Sequence, residues 1–352
     1  MTRSIPNIST SRAQARARLE AVRPYLKRVV LFINGKGGAG KTSLTANSSG
    51  TLARALSTAN SSRRVLAIQL DHQGDLGLDV NTRYAEGLDD DGASIRATLM
   101  GNGSLKVIRD VRPNFDVVPS GSILTEVAGY LKSLDTKNRL EARLRFVEAV
   151  ASLAHEYDWI FIDCPPGDQE LQILGLLVAR WFVIPVVFDK ASLYGLEGVA
   201  DALEEAEEFN TAVQWLGVVM FAFERKDVRT YVDAASGEVK TQEGGQRARI
   251  RKKLKMELER LEADPGVKVF KSVISYNRSI AEDCRDYGRL VVEAADAASH
   301  PDWRKERQRQ QLSVFTSDAA TGLAADYEQF TAELVSTIRA READAARATE
   351  NS

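Results

Sequence analysis

Short apolar runs alternate with longer segments of helical periodicity along most of the chain. The runs are rich in β-branched residues, which is typical of buried strands. They lie at 28–33, 64–70, 115–119, 159–163, 181–187, 214–220 and 267–274. Helices are predicted at 44–56, 94–100, 120–134, 137–155 and 246–261, and a last helix repeats apolar positions from Leu323 to Ile338. Strands that alternate with helices predict an α/β fold.

A glycine-rich loop joins the first strand to the first helix. The segment from Gly35 to Thr42 fits the G-x-x-x-x-G-K-[ST] pattern of phosphate-binding loops. Glycines let backbone N–H groups close around phosphate oxygens, and the helix N-terminus adds its dipole. In this pattern Lys41 reaches the β- and γ-phosphates, and the Thr42 hydroxyl ligates Mg²⁺. The sequence therefore predicts an ATP and Mg²⁺ site, formed by Gly37, Gly38, Ala39, Gly40, Lys41, Thr42 and Ser43.

The strand predicted at 159–163 ends in an acidic residue, Asp163, which is a candidate metal ligand. Four apolar residues that end in an aspartate form a Walker B pattern. The aspartate emerges at the carboxyl edge of the sheet, where ligands bind in open α/β folds. Asp163 is therefore expected to hold Mg²⁺ through a water molecule.

Lys36 adds a second lysine to the loop, which reads Lys-Gly-Gly-Ala-Gly-Lys-Thr. This loop resembles the deviant Walker A motif of the ParA/MinD family, and Asp163-Cys-Pro-Pro166 resembles its ParA members. The resemblance covers roughly 28–340 and implies a doubly wound, mostly parallel sheet flanked by helices. It also implies that Lys36 crosses a dimer interface to the phosphates of the partner's nucleotide.

The segment from Asp71 to Gly74 resembles the switch I segment of the same family, which implies that Asp71 lies next to the attacking water. Two positions depart from the family pattern. Gln69 stands where the first aspartate is usual, and His72 replaces a proline. The loss of a carboxylate near Mg²⁺ predicts weaker metal binding or slow basal turnover.

Asn277 follows the last predicted strand, in a segment that resembles the part of the family fold beside the adenine. It is a candidate nucleotide contact. Ser275 replaces the usual proline there, so the contacts to the base stay open.

Basic residues concentrate in the predicted helix at 246–261. The net charge is −2, so any basic surface must be local, and six arginines and lysines lie within 247–255 without an acid. An apolar stripe at Ile250, Leu254 and Leu258 is expected to anchor this helix and turn its basic faces outward. Either these faces contact DNA phosphates without sequence preference, or they are only solvated. The DNA-binding candidates are Arg247, Arg251, Lys252 and Lys255, with Arg225, Lys226 and Arg278 as weaker members.

The chain is expected to divide into a basic N-terminal arm at 1–27, an ATPase domain at 28–341 and a flexible tail at 342–352. Insertions are expected near 81–107 and 227–245, the second as a hairpin. The arm is either a solvated arm or short helix, or an accessory contact to DNA or a partner.

Two cysteines, Cys164 and Cys284, lie far apart and predict neither a disulfide framework nor a zinc site. The N-terminus has no signal-peptide core, and the last helix lacks the basic amphipathic tail with which MinD-like proteins bind membranes. A cytoplasmic, nucleoid-associated protein is expected.

The resemblance implies a cycle in which ATP is sandwiched between two subunits. The homodimer then binds DNA, and a ParB-like centromere-binding partner stimulates hydrolysis. Segregation of a plasmid or chromosome follows from such a cycle. Two alternatives stay open: a ParA-like positioner of a protein assembly, and a nucleotide-dependent regulator with little turnover.

Overall fold

The computed structural model describes residues 12–83, 87–187, 198–223, 228–232, 239–243, 245–261, 263–264, 266–310 and 314–350. Its strands are β1 (Val29–Phe32), β2 (Val65–Gln69), β3 (Ile108–Arg112), β4 (Phe115–Val118), β5 (Trp159–Asp163), β6 (Trp181–Val186), β7 (Gln214–Phe223), β8 (Val228–Val232), β9 (Val239–Glu243) and β10 (Lys268–Ser275). Its helices are α1 (Arg12–Val22), α2 (Lys41–Thr58), α3 (Asp75–Asp79), α4 (Ala93–Met100), α5 (Ile123–Ser133), α6 (Thr136–Ala154), α7 (Gln169–Val178), α8 (Ala200–Glu207), α9 (Gly245–Arg260), α10 (Arg278–Asp286), α11 (Val291–Ala298), α12 (Trp303–Arg309) and α13 (Ser317–Glu350).

Eight strands form one sheet in the order β10-β7-β6-β1-β5-β2-β4-β3. Every neighbouring pair is parallel except β3 and β4, which are antiparallel. The predicted doubly wound, mostly parallel sheet is confirmed. The antiparallel edge strand β3 was not predicted, because its sequence, Ile-Arg-Asp-Val-Arg, has only two apolar residues and no alternating pattern.

Helices cover both faces of the sheet, as parallel strands require. On β1, Leu31 faces an apolar cluster that includes residues of α4 to α9, while Phe32 faces one that includes residues of α2 and α10 to α13. The carboxyl ends of β1, β5 and β2 lie side by side in the middle of the sheet. The loops that follow these strands therefore leave from one edge and meet there.

The predicted N-terminal arm contains a docked helix. Ala15 and Leu19 of α1 are fully buried, one helical turn apart. Arg18 donates to Glu148 and Glu141 of α6 at 2.7 Å each, and Arg23 donates to a backbone carbonyl at 2.7 Å. Residues 12–27 thus form a short helix with its following turn. Arg18 and Arg23 bind acceptors elsewhere in the same chain. Residues 1–11 lie outside the described part.

The last helix continues beyond the point where the sequence predicted a flexible tail. Helix α13 runs to Glu350, and Glu342 receives a hydrogen bond from Arg28 Nε at 3.1 Å. The predicted end near Arg341 is wrong, because a long-range ion pair joins the following turn to the start of β1.

The predicted hairpin is present as β8 and β9, which form a separate two-stranded antiparallel sheet. Among the described helices, none combines the length and the apolar character that a membrane span requires.

Candidate functional site

Asn34, the residue before the glycine loop, links the start of the loop to β6. The buried Asn34 donates to the Pro185 carbonyl at 2.7 Å and accepts a hydrogen bond from Lys36 N–H at 2.8 Å. Gly40 caps α2 in the left-handed region, at φ 94°. A Cβ atom there would lie 2.5 Å from the ring of Phe221. Both the backbone angle and the close approach therefore require glycine at position 40.

Lys41 is buried at the start of α2, and its Nζ donates to the Lys36 carbonyl at 3.0 Å. Burial lowers the pKa of Lys41, while the nearby Asp163 carboxylate opposes that shift. The lysine thus occupies the centre of its own loop, beside a carboxylate.

Asp163 ends β5 with no exposed surface, and neither carboxylate oxygen has a hydrogen bond of good geometry within the described part of the chain. Burial raises the pKa of Asp163 well above its usual value, and Asp71 adds to this, while Thr42 and Lys41 oppose it. A buried carboxylate without hydrogen bonds is costly unless a cation compensates it. The pair of Asp163 and the Thr42 hydroxyl therefore fits a divalent cation.

Asp71 follows β2 and faces the same space. Its Oδ1 accepts from Gln73 N–H at 2.9 Å, and its carbonyl accepts from the Ser120 hydroxyl at 3.0 Å. Asp71 lines a cavity of about 270 Å³ together with the loop residues from Gly37 to Ser43. The structure therefore brings the predicted residues of three separate motifs to one place.

Gln69 does not face this cavity. With its amide oxygen toward α3, Gln69 accepts hydrogen bonds from the N–H groups of Asp75 and Leu76, both at 2.9 Å. The residue that departs from the family pattern thus caps the helix that follows Asp71.

Lys36 is half-buried and does not line the cavity of its own loop. Its backbone N–H is bound by Asn34.

Asn277 lies in a second cavity of about 370 Å³, which adjoins the first. Its side chain caps α10 by accepting a hydrogen bond from Ile280 N–H at 3.2 Å. The same cavity contains Asn47, Tyr327 and the backbone turn at Ala222, which holds a left-handed φ of 59°. Strained backbone of this kind is concentrated at binding sites.

The DNA-binding candidates separate into two groups. Arg247 is buried. Arg251 donates to the carbonyl oxygens of Phe270 and Lys271 on β10. The expectation that both point outward is wrong, since β10 is an edge strand whose free carbonyl groups need donors.

Lys252 and Lys255 of α9 are exposed, as predicted. Arg278 is exposed but paired with Glu282 at 2.7 Å. Arg225 and Lys226 lie outside the described residues.

Among the residues of the two cavities, Phe221, Arg285 and Tyr327 were missed by sequence reasoning. Phe221 and Arg285 line both cavities, and Tyr327 lies near Ser43 in the second. None belongs to a local motif, and Arg285 lies more than two hundred residues from the glycine loop. The hydroxyl of Tyr327 on an otherwise apolar helical stripe was a weak signal, whereas Phe221 lies in the apolar strand β7 and Arg285 is one of several charged residues in α10, so neither stood out.

The arrangement can hold a chain of phosphates. Backbone N–H groups and Lys41 supply positive potential, and Thr42 with Asp163 supplies oxygen ligands for a hard cation. Within the described residues, no group of three or more His, Cys, Asp or Glu side chains is arranged to hold a metal ion. Mg²⁺ typically takes only one or two carboxylates and completes its shell with water and phosphate.

The comparison with known proteins gives the same family. A family model described as an AAA domain matches residues 27–215, which is more than half of the chain. The chromosome-partitioning ATPase Soj of Thermus thermophilus is 27% identical over 78% of this chain and 90% of its own length. The chromosome partitioning protein ParA of Myxococcus xanthus is 28% identical over 56% of this chain and 66% of its own length.

Several curated relatives, the Myxococcus xanthus ParA among them, are matched over slightly less than two thirds of their own length. Among solved structures, MinD of Pyrococcus horikoshii in complex with Mg-ADP is similar with a TM-score of 0.52 and 17% identity, over 87% of this chain and 95% of that one. This likeness concerns the fold. The matched region spans the glycine loop, Asp71 and Asp163, so the chain belongs to the AAA domain family and to the ParA/MinD superfamily.

Proposed function

We propose that this protein is a ParA-like ATPase, which hydrolyses ATP to ADP and phosphate in a cycle that segregates DNA. The observation that carries the proposal is the buried Asp163 carboxylate, whose oxygens have no hydrogen bonds of good geometry, beside Lys41 and Thr42. That combination fits Mg²⁺ with a triphosphate. Similarity to Soj and ParA supports the partition cycle.

Each residue of the site has a role in this proposal. The loop from Gly37 to Ser43 binds the phosphates, and the Lys41 ammonium moves from the Lys36 carbonyl to the β- and γ-phosphates. Thr42 and Asp163 would hold Mg²⁺. Mg²⁺ supplies charge neutralisation at the phosphates. Asp71 orients the attacking water, and Asn277 lies beside the base.

The dimer is part of the proposal. Lys36 does not line its own cavity, which supports a role at the phosphates bound by a second subunit. ATP would then join two subunits, and hydrolysis would separate them. A ParB-like partner would stimulate that step.

The dimer is proposed to bind DNA without sequence preference. The exposed Lys252 and Lys255 of α9 form the contact, and dimerisation doubles it. Arg251 holds α9 on the sheet and Arg247 is buried, so neither is part of the contact.

The central experiment compares Lys41→Ala with Lys36→Ala. Lys41→Ala should lose binding of a labelled ATP analogue. Lys36→Ala should retain binding but fail to form ATP-dependent dimers in light scattering. Normal ATP affinity in Lys41→Ala would refute the assignment of the loop. Persistent ATP-dependent dimers in Lys36→Ala would refute the bridging role alone.

A second measurement decides between the partition cycle and a regulator with little turnover. Phosphate release by the wild type, measured with DNA and with a partner encoded beside the gene, should rise several-fold over the basal rate. A rate that stays at the background of Lys41→Ala under these conditions would favour the regulator.

A further inference from the structure

The loop cavity and the Asn277 cavity share four wall residues: Gly38, Ser43, Phe221 and Arg285. These four form what we call the neck, the passage between the two cavities. Arg285 is the one charged residue of the four. A nucleotide that places its phosphates in the loop and its base near Asn277 must pass through this neck.

Arg285 is held on one side by α3. Its Nε lies 3.2 Å from Asp79 Oδ1, and its Nη1 lies 3.5 Å from Asp75 Oδ2. The Asp79 side chain is 11% exposed, whereas that of Arg285 is 43% exposed. The guanidinium therefore turns one edge to α3 and leaves the rest accessible.

The accessible part retains hydrogen-bonding capacity. A guanidinium has five N–H donors, and Nη2 of Arg285 donates no hydrogen bond to the described part of the chain. Charge-assisted bonds from arginine to phosphate are among the strongest hydrogen bonds in proteins. An arginine with a free N–H edge at the neck is thus suited to a phosphate that lies between the loop and the ribose.

We propose that Arg285 binds a non-terminal phosphate of the nucleotide and so connects the nucleotide to α3. This inference rests on the proposed function, because its ligand is the ADP or ATP of that site. Helix α3 follows directly after Asp71 and Gln73. A phosphate bound by Arg285 restrains Asp75 and Asp79 through the two ion pairs, and with them the segment that carries Asp71. Arg285 is a positioning residue for Asp71.

The competing explanation is a purely structural clip between α3 and α10. The two explanations differ in whether Arg285 affects nucleotide affinity. The clip predicts lower stability with unchanged affinity. Phosphate binding predicts a loss of affinity for ADP and ATP alike, since both nucleotides carry the non-terminal phosphates.

The test measures equilibrium binding of labelled ADP and ATP with Mg²⁺. Arg285→Ala should weaken both about ten- to a hundred-fold, the usual effect of losing a hydrogen bond to a charged group. Arg285→Lys should recover part of the affinity because it restores the charge. The matched control is Arg112→Ala, which removes a partly buried arginine that pairs with Glu293 outside both cavities. It should leave affinity unchanged.

A second variant protects the test against misfolding. Arg285→Ala leaves the buried Asp79 carboxylate unpaired, so the double variant Arg285→Ala/Asp79→Asn removes both members of the pair. It should show the same loss of affinity. Hydrogen exchange at saturating ADP gives an independent readout: ADP should slow exchange of the α3 amides in the wild type but not in the double variant.

Wild-type affinity for ADP and ATP in the double variant would overturn the inference. Lys41→Ala separates this result from a failure of the proposed function. If Lys41→Ala loses nucleotide and the double variant does not, only the role of Arg285 fails. If Lys41→Ala itself binds nucleotide normally, the site is wrongly assigned and both proposals fall.

Discussion

The side-chain oxygen of Gln69 accepts a hydrogen bond from the backbone N–H of Asp75 at 2.9 Å. Strand β2 thereby caps the first turn of α3, the helix that follows the proposed catalytic segment. The resemblance to ParA proteins implies that an aspartate is usual at position 69, and Gln69 departs from that pattern. The neutral amide of Gln69 supports α3.

Gln69→Leu should lower the free energy of unfolding by about 1–3 kcal/mol, because two helix N–H groups lose their acceptor. Urea denaturation measures this change. Gln308→Leu is the control, since Gln308 is exposed on α12, and it should change stability by less than about 0.5 kcal/mol. Equal effects of the two substitutions would contradict the cap.

Asp71→Ala should bind ATP with near-normal affinity but release phosphate about a hundred-fold more slowly. A group that orients the attacking water stabilises the transition state more than the ground state. The variant should therefore accumulate as an ATP-bound dimer. Steady-state phosphate release and light scattering test both expectations, and an unchanged rate of release would refute the role.

Lys252→Glu/Lys255→Glu should weaken ATP-dependent binding to unrelated DNA sequences equally. Each phosphate contact contributes about −0.9 to the slope of log affinity against log salt concentration. If each lysine neutralises one phosphate, loss of both lysines makes this slope shallower by about 2. Fluorescence anisotropy with ATP and Mg²⁺ measures affinity and slope.

The control is Arg304→Glu/Lys305→Glu on α12, which changes net charge by the same amount on another exposed surface. It should leave the slope intact. If both double variants lose affinity equally, a general charge effect replaces the proposed contact on α9.

Asp79 gives the free energy of unfolding a dependence on pH. Burial raises the pKa of Asp79 from 3.8 to about 6, although Arg285 opposes the shift. Since the folded protein holds this proton more tightly than the unfolded chain, the contribution of Asp79 to stability is full below pH 4 and is lost as pH rises to 6.

The change corresponds to about 3 kcal/mol for a shift of two units. Asp79→Asn lacks this titration, so the variant should gain stability relative to the wild type between pH 4 and pH 6. Urea titrations at several pH values measure the difference. A difference that stays constant with pH would show that Asp79 titrates normally.

Arg307 lies buried between α10 and α12 and contacts residues of both helices and the turn after α10. It pairs with the buried Asp283, and its guanidinium lies 5.2 Å from the ring centre of Tyr287 and 5.1 Å from that of Trp303. Arg307→Met should cost about 3–5 kcal/mol of unfolding free energy, because a buried carboxylate loses its principal partner. Arg304→Met on the exposed side of the same helix should cost little. Thermal or urea unfolding compares the two.

The sheet and the glycine loop could be predicted from sequence because both depend on local pattern. Mostly apolar runs of five to eight residues marked seven of the eight strands of the main sheet. Strand β3 was missed because its own residues form no strand pattern, and its extended conformation depends on antiparallel hydrogen bonds to β4. The end of α13 was misplaced because its ion pair with Arg28 spans more than three hundred residues.

The sequence by itself determined which chemistry the chain carries: the phosphate loop from Gly35 to Thr42, and the strand ends at Asp71 and Asp163. Only the tertiary structure decided which charged side chains are free to act. Arg251 is used at the open edge of β10, while Lys252, its neighbour in the chain, faces solvent. Arg285 reaches the neck because α10 packs against α3. The contacts of Arg251 and Arg285 depend on carbonyl groups and carboxylates that are distant in the sequence, so no local sequence pattern predicts them.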